Sequence, residues 1–136
     1  MRMIVGGAAQ GKWNYAKKTY PAKSWADGRD CLLEEIQKAE GIYHFEAWVK
    51  RKLQVLWMEE GRERPEIDRL AEELALGIWN QNPNLLLITD EIGCGIVPME
   101  PFDRDWRELH GRICTLLAEK SESLERVICG IPLKLK

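Results

Sequence analysis

Residues 1–12 read MRMIVGGAAQGK, in which a short, mostly apolar run ends at two glycines and a glycine–lysine pair follows. This run, the glycine loop and the helical pattern after it predict a strand, a loop and a helix in succession. The loop has the spacing GxxxxGK, which lets backbone N–H groups and a helix N-terminus surround phosphates while the lysine reaches the terminal one. The sequence therefore predicts a phosphate-binding loop, against the alternative of a glycine-rich turn with an exposed lysine. The predicted nucleotide-binding residues are Gly6, Gly7, Ala8, Ala9, Gln10, Gly11, Lys12 and Trp13.

Trp13 departs from the motif, because the position after the lysine ordinarily holds a serine or threonine whose hydroxyl ligates Mg²⁺. An indole cannot coordinate the ion. Either Mg²⁺ is held through water and Asp90 or Glu91, or the site binds a nucleotide without efficient phosphoryl transfer. The indole is expected to narrow the pocket or to pack against the sheet.

Apolar runs alternate with helical periodicity along the rest of the chain. Alternating strands and helices of this size predict an α/β fold of the P-loop NTPase-like kind, a mostly parallel sheet flanked by helices. We expect one nucleotide-binding domain over residues 1–136. The predicted strands after the first are 22–26, 41–45, 85–88 and 126–130, with an edge extension at 132–136. The predicted later helices are 29–39, 46–57, 65–79 and 103–117. A charged connection is predicted at 59–64.

Composition excludes several classes of function. The chain has 45% hydrophobic and 31% charged residues and a formal net charge of −2, so it is globular and carries no general attraction for nucleic acid or for an anionic membrane. No apolar run approaches the roughly 20 residues of a membrane span, and we expect a cytoplasmic protein. The four cysteines form no CxxC pair and the two histidines no metal-binding spacing, so a structural metal is not expected.

Two carboxylates follow the most apolar predicted strand. The run 85–88 is followed by Thr89, Asp90 and Glu91. P-loop proteins place an acidic residue near Mg²⁺ in this way, so Asp90 and Glu91 are candidates for metal binding and general-base chemistry. The structural alternative is that they cap the end of the strand or pair with Arg104 or Arg107. Two glycines and a proline in the following loop, residues 93–98, predict a defined backbone shape.

The same carboxyl-terminal half resembles a known family. Residues 89–98 read TDEIGCGIVP, and RDWR at 104–107 and GR at 111–112 follow. This text is similar to the signature TNEVGxGIVP, RxFRD and GR of the bifunctional adenosylcobinamide kinase / adenosylcobinamide-phosphate guanylyltransferase family of cobalamin biosynthesis. The ending CGIPLKLK at 129–136 and the loop at Gly6–Lys12 also resemble that family.

The resemblance implies a parallel-sheet P-loop fold, GTP or ATP as donor, Mg²⁺, a corrinoid acceptor and a homo-oligomer. In such a kinase or nucleotidyltransferase, Lys12 would neutralise charge in the transition state, and Asp90 or Glu91 would position Mg²⁺ or the attacking hydroxyl. The family also uses a histidine within an HxxxR-like stretch to accept GMP. His44 is the histidine in the corresponding region, so a guanylylated His44 is one hypothesis and a packed or strand-end histidine the other. The rival function is a nucleotide-binding or regulatory paralogue that has lost catalysis.

Overall fold

The computed structural model describes residues 1–22, 24–58 and 66–136, and its strands form one six-stranded sheet. The strands are β1 (Arg2–Val5), β2 (Trp25–Asp27), β3 (Gly41–Tyr43), β4 (Leu86–Ile88), β5 (Ser123–Ile128) and β6 (Ile131–Lys134). The helices are α1 (Lys12–Thr19), α2 (Leu33–Lys38), α3 (Phe45–Met58), α4 (Ile67–Gln81) and α5 (Pro101–Lys120).

The sheet has the strand order β2-β3-β4-β1-β5-β6. All neighbouring strands pair in parallel except β5 and β6, which form an antiparallel hairpin at one edge. The predicted α/β class with a mostly parallel sheet is thereby confirmed. Because β1 and β4 are adjacent, the segments that follow them, the glycine loop and residues 89–91, lie side by side at one edge of the sheet.

The two faces of the sheet bury separate hydrophobic clusters, as the alternation of side chains along a strand requires. Met3 and Leu87 belong to the larger cluster, which includes buried residues of α3, α4 and α5. Ile4 and Ile88 belong to the smaller cluster with Ala16 of α1. Across the described ranges, no helix is long and apolar enough to cross a bilayer.

Two predicted boundaries are wrong for local reasons. The predicted helix 29–39 is observed only over Leu33–Lys38, because the N–H groups of Asp30 and Cys31 donate to the Asp27 carbonyl and form a turn after β2. The predicted strand 41–45 stops at Tyr43, since His44 has a positive φ of 53°. The His44 carbonyl then accepts the first hydrogen bonds of α3.

Smaller shifts affect other elements: β2 begins at Trp25, α5 begins at Pro101 and β5 begins at Ser123. The predicted connection at 59–64 and the predicted helix start at Pro65 lie outside the described residues.

Candidate phosphate-binding site

The glycine loop connects β1 to α1 and is packed tightly against its neighbours. Gly6 has a φ of 152°, and a Cβ atom added there would lie 2.4 Å from the carbonyl oxygen of Val127 on β5. On the other side, the N–H of Glu91 donates to the Gly6 carbonyl at 3.0 Å. A larger residue at position 6 would therefore displace the start of the loop from the sheet.

The loop presents its backbone N–H groups without internal partners. In the described part of the chain, the N–H groups of residues 7–11 donate no hydrogen bond to another residue. Consecutive free N–H groups before a helix N-terminus favour an anion, because they carry partial positive charge at the end of the helix dipole.

Lys12 points into the loop and away from bulk solvent. Its side chain is only 7% exposed, and Nζ donates to the Gly7 carbonyl at 2.7 Å. Nζ also lies 2.5 Å from Oδ1 of Asp90. The cation is thus held at the mouth of the loop, where it can contact a bound phosphate.

The β5–β6 turn holds the loop from the outside. Gln10 accepts hydrogen bonds from the N–H of Gly130 through its carbonyl and from the N–H of Cys129 through its side-chain oxygen, each at 2.8 Å. Three non-glycine residues of the described chain have positive φ, namely Ala9, His44 and Cys129. All three lie in or beside this loop, and such strained residues concentrate at functional sites.

A cavity of about 510 Å³ opens beside the loop. Its volume suits a nucleotide-sized ligand. The lining residues come from the loop, from the start of α1, from the β3–α3 junction and from the end of β4: Ala9, Gln10, Gly11, Lys12, Trp13, Asn14, Tyr43, His44, Glu46, Ile88, Thr89 and Asp90.

Trp13 both lines this cavity and packs on the sheet. Its ring centroid lies 4.7 Å from that of Trp25 and 4.5 Å from that of Tyr43, and the ammonium of Lys17 lies 5.0 Å from the indole. At position 13, where the motif has a hydroxyl ligand for Mg²⁺, this chain therefore has an aromatic side chain that lines the cavity.

The two predicted acidic residues separate in the structure. Asp90 lines the cavity and pairs with Lys12, whereas Glu91 accepts the guanidinium of Arg126 at 2.9 Å. The sequence offered Arg104 and Arg107 as alternative partners of these two carboxylates, but both arginines bind other groups. Arg104 and Arg107 donate to carbonyl groups of residues 93–99 and hold that loop in shape.

Glu46 is a site residue that the sequence did not identify. It is 9% exposed, lines the cavity, and its Oε2 accepts hydrogen bonds from the Asp90 N–H at 3.0 Å and the Thr89 hydroxyl at 3.1 Å. Thr89 also contacts Nε2 of buried His110 at 2.8 Å. Burial lowers the pKa of His110 to about 4, against a smaller opposing effect of the Asp90 charge. Glu46 thus fixes the backbone that carries Asp90.

His44 lies at the same cavity, beside the end of β2. Its Nδ1 is 3.1 Å from Oδ1 of Asp27, and the Asp27 carboxylate also accepts hydrogen bonds from the backbone N–H, Nε and Nη2 of Arg29. Burial alone would raise the pKa of Asp27, but the hydrogen bonds from Arg29, His44 and Tyr43 hold it well below its usual range. The carboxylate therefore stays ionised beside the imidazole.

The donor set fits a nucleotide-bound Mg²⁺ better than a metal held by protein alone. Mg²⁺ is commonly bound through one or two carboxylates together with substrate phosphates and water. Asp90 supplies one carboxylate, and Trp13 supplies no donor. Within residues 1–22, 24–58 and 66–136, no group of three or more His, Cys, Asp or Glu side chains is arranged to hold a metal ion.

A larger cavity, of about 820 Å³, lies between α4, α5 and the loop at 93–98. It contains none of the residues predicted for the phosphate site. We place the candidate site at the smaller cavity because the glycine loop, Lys12 and Asp90 meet there.

Fold and loop together define an α/β protein with a mostly parallel sheet and a GxxxxGK turn after its first strand. The chain belongs to the cobinamide kinase / cobinamide phosphate guanyltransferase family, whose model matches residues 42–135. This confirms the resemblance seen in the sequence. The match begins at Ile42, so the glycine loop lies outside it.

Two curated relatives carry the name bifunctional adenosylcobalamin biosynthesis protein CobU, one from Salmonella typhimurium and one from Escherichia coli. Each is 36% identical to this chain over 52 residues, which cover 38% of the chain and 29% of the relative. The matched segment thus spans less than a third of the length of either relative.

Proposed function

We propose that the protein binds GTP or ATP at Gly6–Lys12 and transfers a phosphoryl or nucleotidyl group to a corrinoid side chain in cobalamin biosynthesis. The observation that carries the proposal is the enclosed position of Lys12, between the Gly7 carbonyl and Asp90 at the edge of the cavity. Membership of the cobinamide kinase / cobinamide phosphate guanyltransferase family supports the acceptor class.

In this proposal the chain's own residues have distinct roles. The N–H groups of residues 7–11 would bind phosphate oxygens, and Lys12 would exchange its contact with Asp90 for one with the terminal phosphate. Asp90, released from that ion pair, would face the Mg²⁺ that accompanies the nucleotide and neutralises its charge. Glu46 keeps the Asp90 backbone in place during the exchange.

The second candidate is a catalytically impaired paralogue that binds nucleotide for regulation. Trp13 favours it, since an indole replaces the hydroxyl ligand and packs edge-on against Trp25 and at a tilt against Tyr43. The two candidates differ in their need for Mg²⁺. Binding that strengthens with Mg²⁺, together with turnover of cobinamide, supports the transferase; binding that is indifferent to Mg²⁺ supports the paralogue.

Isothermal titration calorimetry with GTP and with ATP, each with and without Mg²⁺, tests both candidates. Loss of a hydrogen bond to a charged group costs about 1.5–3 kcal/mol, so Lys12→Met should weaken binding about 10- to 100-fold. Lys18→Met is the matched control, because Lys18 is exposed on the same helix and should leave affinity unchanged. No binding of either nucleotide by the wild type would refute both candidates.

A homo-oligomer also remains a proposal from the family resemblance. Light scattering at the concentrations used for calorimetry would measure the mass directly. A mass of one 15.7 kDa chain throughout would contradict it.

A further inference from the structure

His44 occupies a position that its backbone disfavours. Its φ is 53°, in the left-handed region, although it is not a glycine. Strain of this kind persists only where the surroundings determine the conformation, and it is concentrated at functional sites. Here the strained residue carries an imidazole that is 40% exposed and lines the cavity together with Lys12.

Two neighbours contact the ring of His44, and a third holds its backbone. The register of β2 and β3 places Asp27 beside Tyr43, so the Asp27 carboxylate reaches Nδ1 of the next residue. The Tyr43 ring lies 4.8 Å from the imidazole centroid. Gly28 packs against the His44 carbonyl so closely that an added Cβ would lie 2.0 Å from that oxygen.

The contact with Asp27 selects one tautomer. An ionised carboxylate accepts hydrogen bonds only, so the proton of a neutral imidazole lies on Nδ1 and leaves Nε2 with a free electron pair. The charged groups around the ring are Asp27 and Arg29 on the β2 side, and Lys12, Glu46 and Asp90 among the cavity residues.

We propose that His44 is the general base of the transfer reaction and that Asp27 is its positioning residue; the inference rests on the function proposed above. An acceptor hydroxyl in the cavity would attack the γ-phosphorus. The new bond joins the acceptor oxygen to phosphorus, and the bond from phosphorus to the β–γ bridging oxygen breaks, which releases the nucleoside diphosphate. The hydroxyl proton moves to Nε2 of His44 and is later lost to water.

His44→Asn is the first test, because asparagine tolerates a positive φ better than most residues and so keeps the backbone shape. The measurement is turnover of cobinamide with GTP or ATP at saturating substrate. A positioned general base contributes about 10²- to 10⁴-fold, so kcat should fall within that range while calorimetric affinity for nucleotide stays within about twofold. Asp27→Asn should lower kcat as well, and Asp30→Asn, in the exposed turn that follows, is its matched control.

A further readout separates a base from a merely structural histidine. His44→Gly relieves the positive φ and leaves room for a free imidazole. Added imidazole should therefore restore part of its turnover, which it would not do for a packing defect.

The outcomes keep the two proposals apart. Absence of nucleotide binding by the wild type shows in calorimetry before any turnover is measured, and it refutes the proposed function. Nucleotide binding without transfer refutes the transferase and the general-base assignment together, and leaves the nucleotide-binding paralogue. The general-base assignment alone is overturned by full kcat in His44→Asn, or by a nucleotide found covalently attached to His44 by mass spectrometry.

Discussion

Gly28→Ala should destabilise the protein strongly, because position 28 leaves no room for a side chain. An added Cβ would lie 2.0 Å from the His44 carbonyl oxygen, 2.7 Å from its carbonyl carbon and 3.2 Å from Cβ of Trp48. The first two obstacles are backbone atoms, so no change of rotamer relieves the overlap. The turn after β2 must instead separate from the β3–α3 junction by roughly an ångström, which weakens the hydrogen bond from the Gly28 N–H to Tyr43.

The magnitude follows from the rigidity of these neighbours. Overpacking typically costs 1–3 kcal/mol, and we expect about 3 kcal/mol because backbone must move. Unfolding entropy of about 2.1 cal/mol/K per residue amounts to about 0.29 kcal/mol/K for 136 residues. Dividing the expected destabilisation by this unfolding entropy predicts a fall in Tm of about 10 °C.

Thermal unfolding by circular dichroism or calorimetry measures this change. Gly111→Ala is the matched control: Gly111 lies on α5, and apart from its chain neighbours and the backbone of its own helix, no atom of the described residues lies within 4 Å of its added Cβ. Replacing a glycine inside a helix should stabilise by about 0.5–1 kcal/mol, so the control should raise Tm by about 2–3 °C. A Gly28→Ala protein that melts within a degree or two of the wild type would refute the predicted close approach at His44.

Three further changes have defined expectations. Trp13→Ser should restore a hydroxyl ligand and increase the dependence of nucleotide affinity on Mg²⁺ about tenfold, measured by calorimetry, whereas an unchanged dependence would contradict the assigned position of the indole. Glu46→Gln should lower both stability in urea, by about 1–3 kcal/mol, and nucleotide affinity, because the Asp90 N–H loses an ionised acceptor; native values for both would exclude a positioning role. Because the folded-state pKa of His110 is lowered to about 4 by burial, the unfolded chain binds the extra proton as the pH falls below about 6.5. The free energy of unfolding should therefore be constant above that pH and should fall by about 3 kcal/mol between about pH 6.5 and 4. Urea unfolding measures this fall, which should be smaller in His110→Asn.

The first strand, the loop and the first helix were predictable because their signals are local. The glycines and Lys12 lie within seven residues, and β4 is a short run of apolar residues that its burial on both faces explains. The family resemblance rested on the text after β4, and the family match includes that text.

The rest of the site depends on contacts between distant residues. Asp27 and His44 meet only because β2 and β3 pair in a particular register, which neither segment specifies alone. Glu46 is the first residue of the predicted helix 46–57, where acidic residues are common, so its type and position alone do not mark it as a site residue. The available signal was its position directly after a parallel strand, since that edge of the sheet is where α/β proteins bind ligands.

The central claim is that the glycine loop wraps a polyphosphate, and backbone chemical shifts test it most directly. A ¹⁵N–¹H spectrum would be recorded while a non-hydrolysable GTP or ATP analogue is added with Mg²⁺. The largest shifts should fall on the N–H groups of residues 6–12, and Lys12→Met should need about 10- to 100-fold more ligand to reach them. Shifts confined to the larger cavity between α4 and α5, with the loop unchanged, would contradict the claim.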